Sequence, residues 1–268
     1  MSRMLTLIQA GWSSIRFSAA QGRRKDALAQ LARLLSRQDV PTPIAADAHR
    51  LAGELFTDAE QYTNARRHLR AAAALEPLHA RTYYLWALAH ERDPHGCDRR
   101  AALRFCKAAS LEPTNALYRA CFGRAAVRCD KTKRGVRELL QASDKAPGDL
   151  AVIRVVVDGL LEADRPGTAR RVLNRAGFLC RDSARARELR SLNELVRFAI
   201  ARRDQRGERG TTRHGQDAEF ARDGGRVVLP FIRVAAEAPA RNGERLRHDV
   251  ISLPRPHFPR LMSRKADR

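Results

Sequence analysis

Residues 101–116 read AALRFCKAASLEPTNA, and this stretch decides the fold. Ala101, Phe105 and Ala108 stand at i, i+4 and i+7, so a helix carries them on one face, two small residues around a bulky apolar one. Pro113 then stops the helix, because it lacks an N–H and its ring clashes with the turn before it. Asn115 follows, with a side-chain oxygen able to accept from the first unpaired N–H groups of a new helix starting at Ala116. The segment reads as helix, stop, cap, next helix.

The same sentence recurs on both sides. Leu75-Glu76-Pro77, Leu111-Glu112-Pro113 and Lys145-Ala146-Pro147 place their prolines 36 and then 34 residues apart. Each is followed by a capping position and a small or apolar residue: His79-Ala80, Asn115-Ala116 and Asp149-Leu150, with His the weaker cap. The small–bulky–small pattern repeats as Ala65, Leu69, Ala72, as Gly135, Leu139, Ala142 and as Ala169, Leu173, Ala176. In the first helix of each unit the corresponding small positions are Gly53, Ala87 and Gly123, with Val157 in the fourth. Small residues let two antiparallel helices approach closely, and the bulky one fills the space toward the next unit.

This pattern resembles the tetratricopeptide repeat, a helical hairpin of about 34 residues. The resemblance covers residues 46–180 as four units starting near Ala46, Ala80, Ala116 and Leu150. Two departures stand out: two extra residues near Asp93–Asp98, and Arg181 where the fourth unit should close on Pro. Residues 1–40 read as a degenerate N-terminal hairpin with Ala27 and Leu31 in the small and bulky positions. Residues 184–202 read as an amphipathic capping helix (Leu189, Leu192, Leu195, Val196, Ile200), needed because the last hairpin cannot bury its apolar face alone. From Arg203 to 268 no period persists, and a mostly disordered tail is expected. The resemblance implies an all-α, right-handed superhelical solenoid.

Charge bears on function. The 268 residues hold 51 Lys+Arg against 30 Asp+Glu, a net charge of +21, which invites a nucleic-acid reading. Only six of the basic residues are Lys, and an Arg bias in an Ala-rich chain also follows from a GC-rich coding sequence. The charge is spread along the chain: residues 203–268 carry 15 basic and 9 acidic side chains, so no polybasic tail exists. Aromatics are few (9 Phe, 4 Tyr, 2 Trp), which disfavours a binder that stacks single-stranded bases. The basic cluster Lys131-Thr132-Lys133-Arg134 keeps nucleic-acid binding as the alternative.

No phosphate-cradling G-x-x-x-x-G-K-[ST], no G-x-S-x-G and no nucleophile beside a base is legible, so no enzyme and no cofactor are expected. His90, His95 and Cys97 lie close in sequence, but Pro94 and Gly96 break the helix and no second pair has zinc-type spacing. The five cysteines (97, 106, 121, 129, 180) are odd in number and lack C-x-x-C spacing, which fits a reducing compartment, the cytoplasm. No export signal and no membrane anchor are read.

The resemblance implies a protein–protein adaptor holding a peptide segment in the concave groove. In the family that groove is lined by the second, fifth, ninth and twelfth residues of each unit. On these positions stand Arg50, Arg81, Tyr84, Arg124, Arg128 and Arg154. They form an expected cationic track with one aromatic platform, matched to an acidic segment through fork-type Arg–carboxylate pairs. The Lys-Asn arrangement that family members use to clamp a C-terminal carboxylate is absent.

Overall fold

The structure, a computed structural model, describes residues 2–179 and 183–211, and these contain eleven α-helices and no strand. A first hairpin joins α1 (Ser2–Ala20) to α2 (Arg24–Leu35). Four more follow: α3 (Thr42–Asp58) with α4 (Tyr62–Leu75), α5 (Ala80–Glu91) with α6 (Asp98–Leu111), α7 (Ala116–Arg128) with α8 (Thr132–Lys145), and α9 (Leu150–Glu162) with α10 (Pro166–Leu179). Helix α11 (Ser183–Thr211) packs on α10 and α9. Consecutive hairpins stack, each touching its neighbours, as in a solenoid.

The boundaries follow from the capping chemistry. Asn115 accepts from the backbone N–H of Leu117 and Tyr118, and Asp149 from Ala151 and Val152. His79 forms no side-chain cap bond, as its weaker capping ability implies. Helix α3 begins at Thr42, ahead of Ala46, because Pro43 is tolerated in its first turn. Within units one, three and four the helices are joined by the same tight turn. Glu60, Asp130 and Asp164 take left-handed φ values of 62°, 61° and 53°. The next N–H then reaches back to the carbonyls of Phe56, Ala126 and Leu160, closing the helix ends as Schellman motifs. The second unit, with its two extra residues, uses the longer loop between Glu91 and Asp98.

The small–bulky–small positions are the core. Leu69, Phe105, Leu139 and Leu173 are buried, as are their small neighbours Ala65, Ala72, Ala101, Ala108, Gly135, Ala142, Ala169 and Ala176. Between α7 and α8 the backbones approach closely: a Cβ on Gly135 would lie 2.6 Å from the Gly123 carbonyl oxygen and 2.6 Å from Val127 Cγ2. Ala27 and Leu31 in α2 are fully buried. On α11, Leu189, Leu192 and Val196 cover the apolar end of the stack, while Leu195 points outward. The helix continues past Arg202 to Thr211, into the segment expected to lack structure. Gln, Glu and Arg there are good helix formers and propagate it. The expected tail from 212 to 268, and the Arg181 position, lie outside the described residues.

Candidate functional site

The first helices of the four repeats, α3, α5, α7 and α9, carry every residue assigned to the groove. The structure places each of the five arginines against at least one carboxylate of this chain. Arg81 donates to Glu54 at 3.1 Å, so α5 is tied to α3. Arg124 donates to both oxygens of Glu91 at 3.0 and 2.9 Å, tying α7 to α5, and its other terminal nitrogen lies 3.8 Å from Asp158 of α9. Arg128 donates to Glu91 at 2.8 Å and makes a two-point contact with Glu162 of α9 at 2.9 and 2.6 Å. Arg154 pairs with Glu188 of α11. Arg50 pairs with Asp47 on its own helix and donates to Glu76 at 2.7 Å.

The result is a ladder in which guanidinium and carboxylate alternate along the face. Residues about one repeat apart meet because the hairpin length equals the stacking period: Arg124 and Glu91 are 33 positions apart, Arg128 and Glu162 34, Arg154 and Glu188 34. Arg92 and Asp58, again 34 apart, add another rung at 3.2 Å.

Burial divides the ladder. The side chains of Arg50 and Arg124 are 8% and 11% exposed, and that of Glu91 is 4% exposed. Those of Arg81 and Arg154 are 58% and 44% exposed. For Arg124, burial is the largest influence and works against the charge, but the surrounding acidic groups, Glu91 first and Glu162 with it, together raise the pKa above the ordinary Arg value. The same balance, burial against Glu162 and Glu91, raises Arg128. Asp158 titrates above the usual carboxylate range, chiefly through burial.

Tyr84 is half-buried and packs between units. Its ring stacks on Tyr118 at 4.9 Å and tilts against Phe105 at 6.0 Å. Burial pushes its hydroxyl pKa up. The carboxylate partners Glu54, Glu91, Asp158 and Glu162 were not part of the cationic track read from sequence, although Glu54, Glu91 and Asp158 occupy lining positions of their units. For Glu91, Asp158 and Glu162 the signal is an acid one repeat length from an Arg, whereas Glu54 lies 27 positions from Arg81.

Among the described residues no group of three or more His, Cys, Asp and Glu is placed to hold a metal ion. No helix among them is long and apolar enough to cross a membrane. Cys121 is buried, and that burial pushes its thiol up to about 12.

Three solved structures share this stacking of hairpins. PilF of Pseudomonas aeruginosa aligns with a TM-score of 0.54 and 17% identity, over 76% of this chain and 89% of its own. A crystal structure of MamA gives 0.52 and 14%, over 66% and 92%. YrrB, described as a TPR protein with an unusual peptide-binding site, gives 0.51 and 14%, over 69% and 90%. The fold is that of a tetratricopeptide-repeat solenoid. At such identities the likeness concerns the fold alone. No protein-family model matches the sequence, and no curated protein matches it. In tetratricopeptide-type solenoids the first helices of successive hairpins line the concave face, and the ladder here is carried by the first helices α3, α5, α7 and α9.

Proposed function

We propose that the chain is a non-catalytic interaction scaffold that holds a segment of a protein partner along its concave face. Acidic side chains of that segment meet Arg81, Arg128 and Arg154, with Tyr84 at the apolar junction between units. The observation that carries this reading is the uneven burial of the ladder. A guanidinium has five N–H donors. Among the described residues Arg81 donates only through Nη2 and its side chain is largely exposed, and the Arg154 side chain is similarly open. A ligand carboxylate can therefore join these rungs without dismantling them. Arg124, buried and multiply paired, holds neighbouring units together, and Arg50, equally buried, ties α3 to the end of α4 within its own hairpin. The unusual peptide-binding site described for YrrB supports a peptide ligand through the shared fold, which is an analogy of architecture. A cytoplasmic location fits free thiols such as the exposed Cys97.

The test is fluorescence anisotropy of an acidic peptide on the full chain and on the Arg81→Gln/Arg154→Gln variant. Loss of two charge-assisted contacts should weaken binding about tenfold or more, with unfolding little changed because both pairs are exposed. Equal affinity would refute the assignment. Nucleic-acid binding is the second reading, favoured by the +21 charge. It requires affinity to collapse by orders of magnitude between about 50 and 200 mM salt, where a peptide with apolar anchors loses far less.

A further inference from the structure

On another surface, a cavity of about 570 Å³ opens between the second helices α6 and α8 against the side of α7. Its apolar lining includes Leu103 of α6 and Phe122 and Ala126 of α7. Leu103 is 62% exposed, a large apolar side chain left to water at the lip. Three cations complete the lining: Arg99 at the start of α6, Lys131 before α8 and Arg134 in its first turn. Asp98 is the acid on this rim, directly after the loop that carries the two extra residues.

The contrast with the concave face is electrostatic. There, all five groove arginines are paired with carboxylates. Here, none of Arg99, Lys131 and Arg134 takes part in an ion pair among the described residues, and all three are exposed. Arg134 lies over the Phe122 ring, 5.0 Å from its centroid. Exposed cations without an ion-paired carboxylate among the described residues, set around an apolar hole, complement a ligand that is anionic at its flanks and apolar at its centre. A nucleic acid fits less well, because its bases need an open aromatic face to stack on and the guanidinium already lies over Phe122.

We infer that this cavity is a second docking site, outside the concave groove, for an acidic protein segment anchored by one bulky apolar side chain. The anchor fills the hole beside Phe122 and Ala126, and flanking carboxylates meet Arg99, Lys131 and Arg134. With one ligand site on each face, the solenoid can hold two segments at once.

The probe is a fluorescein-labelled peptide of about twelve Asp and Glu residues with one central Leu, alongside a version with Ala at the centre. Both are titrated on the full chain in about 0.1 M salt, where the Debye length is about 10 Å. The inference expects the Ala peptide to bind about tenfold more weakly, the share of one buried Leu side chain. It expects Arg99→Glu/Arg134→Glu to weaken the Leu peptide at least tenfold, and Leu103→Lys to weaken it severalfold. Circular dichroism melts check the fold, and Leu103→Lys, a change at an exposed position, keeps the test open if charge reversal harms folding.

The two sites separate cleanly. Loss of peptide binding in Arg81→Gln/Arg154→Gln alone overturns this inference and leaves the concave-face proposal standing. Loss only in the Arg99, Arg134 and Leu103 variants supports it and removes the other. Equal binding of the Leu and Ala peptides overturns it, as does stoichiometric displacement by a short single-stranded RNA. A dimer in sedimentation that Arg99→Glu/Arg134→Glu dissociates would give the cavity to a second copy of the chain and likewise overturn the inference.

Discussion

Glu91 is the keystone of the junction between the second and third repeats, and replacing it should cost far more than breaking any exposed rung. Its side chain is 4% exposed and accepts three charge-assisted hydrogen bonds at 2.8 to 3.0 Å, two from Arg124 and one from Arg128. Glu91→Ala leaves Arg124, itself 11% exposed, with Asp158 at 3.8 Å as its remaining carboxylate. Arg128 keeps Glu162 and is partly compensated. Removing one partner of a buried pair costs about 3–5 kcal/mol, because the surviving charge stays desolvated. At about 2–4 °C per kcal/mol for a chain of this size, the melting temperature should fall by about 6–20 °C. Arg92→Ala, which breaks a pair whose side chains are 46% and 40% exposed, should cost less than about 1 kcal/mol. Glu91→Leu/Arg124→Met, which removes both charges, should recover most of the loss. Urea unfolding followed by circular dichroism measures all three. Because repeat arrays unfold through nearest-neighbour interfaces, Glu91→Ala should also split the transition in two. If Glu91→Ala proves as mild as Arg92→Ala, the buried ladder does not hold the repeats together and the reasoning fails.

Other consequences concern the helix contacts and the turns. Gly135→Ala puts a methyl 2.6 Å from the Gly123 carbonyl oxygen, so α7 and α8 must separate; a loss of about 2 kcal/mol or more is expected in denaturant titrations. Asp130→Gly relieves a left-handed φ of 61° in the turn between the same helices, and the midpoint should rise by about 0.5–1 kcal/mol equivalent. His49 and His68 share a 2.9 Å Nδ1–Nδ1 hydrogen bond, and burial lowers their pKa values to about 4 and about 3. Unfolded, both take up protons near pH 6.5, while the folded pair stays neutral. Stability is therefore full above that pH and falls as pH drops from about 6.5 toward 4, by on the order of 3 kcal/mol per ring. Thermal melts across this window should show the slope, and His49→Phe/His68→Leu should reduce it, leaving the share of His90, which burial and neighbouring arginines lower to about 4.

Much of the fold is legible one residue at a time. Pro77, Pro113 and Pro147 stop helices for reasons internal to the proline ring, and Asn115 and Asp149 cap because their side chains reach their own backbone. The Ala101, Phe105, Ala108 spacing alone implies a buried stripe, and that stripe is buried. The groove was harder. Arg50 and Arg124 look like free cations among the lining positions, yet Arg50 is matched by Asp47 on its own helix and by Glu76 at the end of its hairpin, and Arg124 by Glu91, which only stacking brings near. Tyr84 reads as an open platform but packs against Tyr118 and Phe105 of the neighbouring helices.

By itself, then, the sequence determined the helices, their ends, the repeat length and the buried stripe, because each depends on contacts within a turn or two of the chain. Only the tertiary structure decided how the charge is used. Whether an arginine is spent on a carboxylate 33 positions away or left unpaired beside an apolar cavity depends on how the hairpins stack. The +21 of the chain says nothing about that division, since Coulomb energy follows distance and burial in space and not order along the sequence.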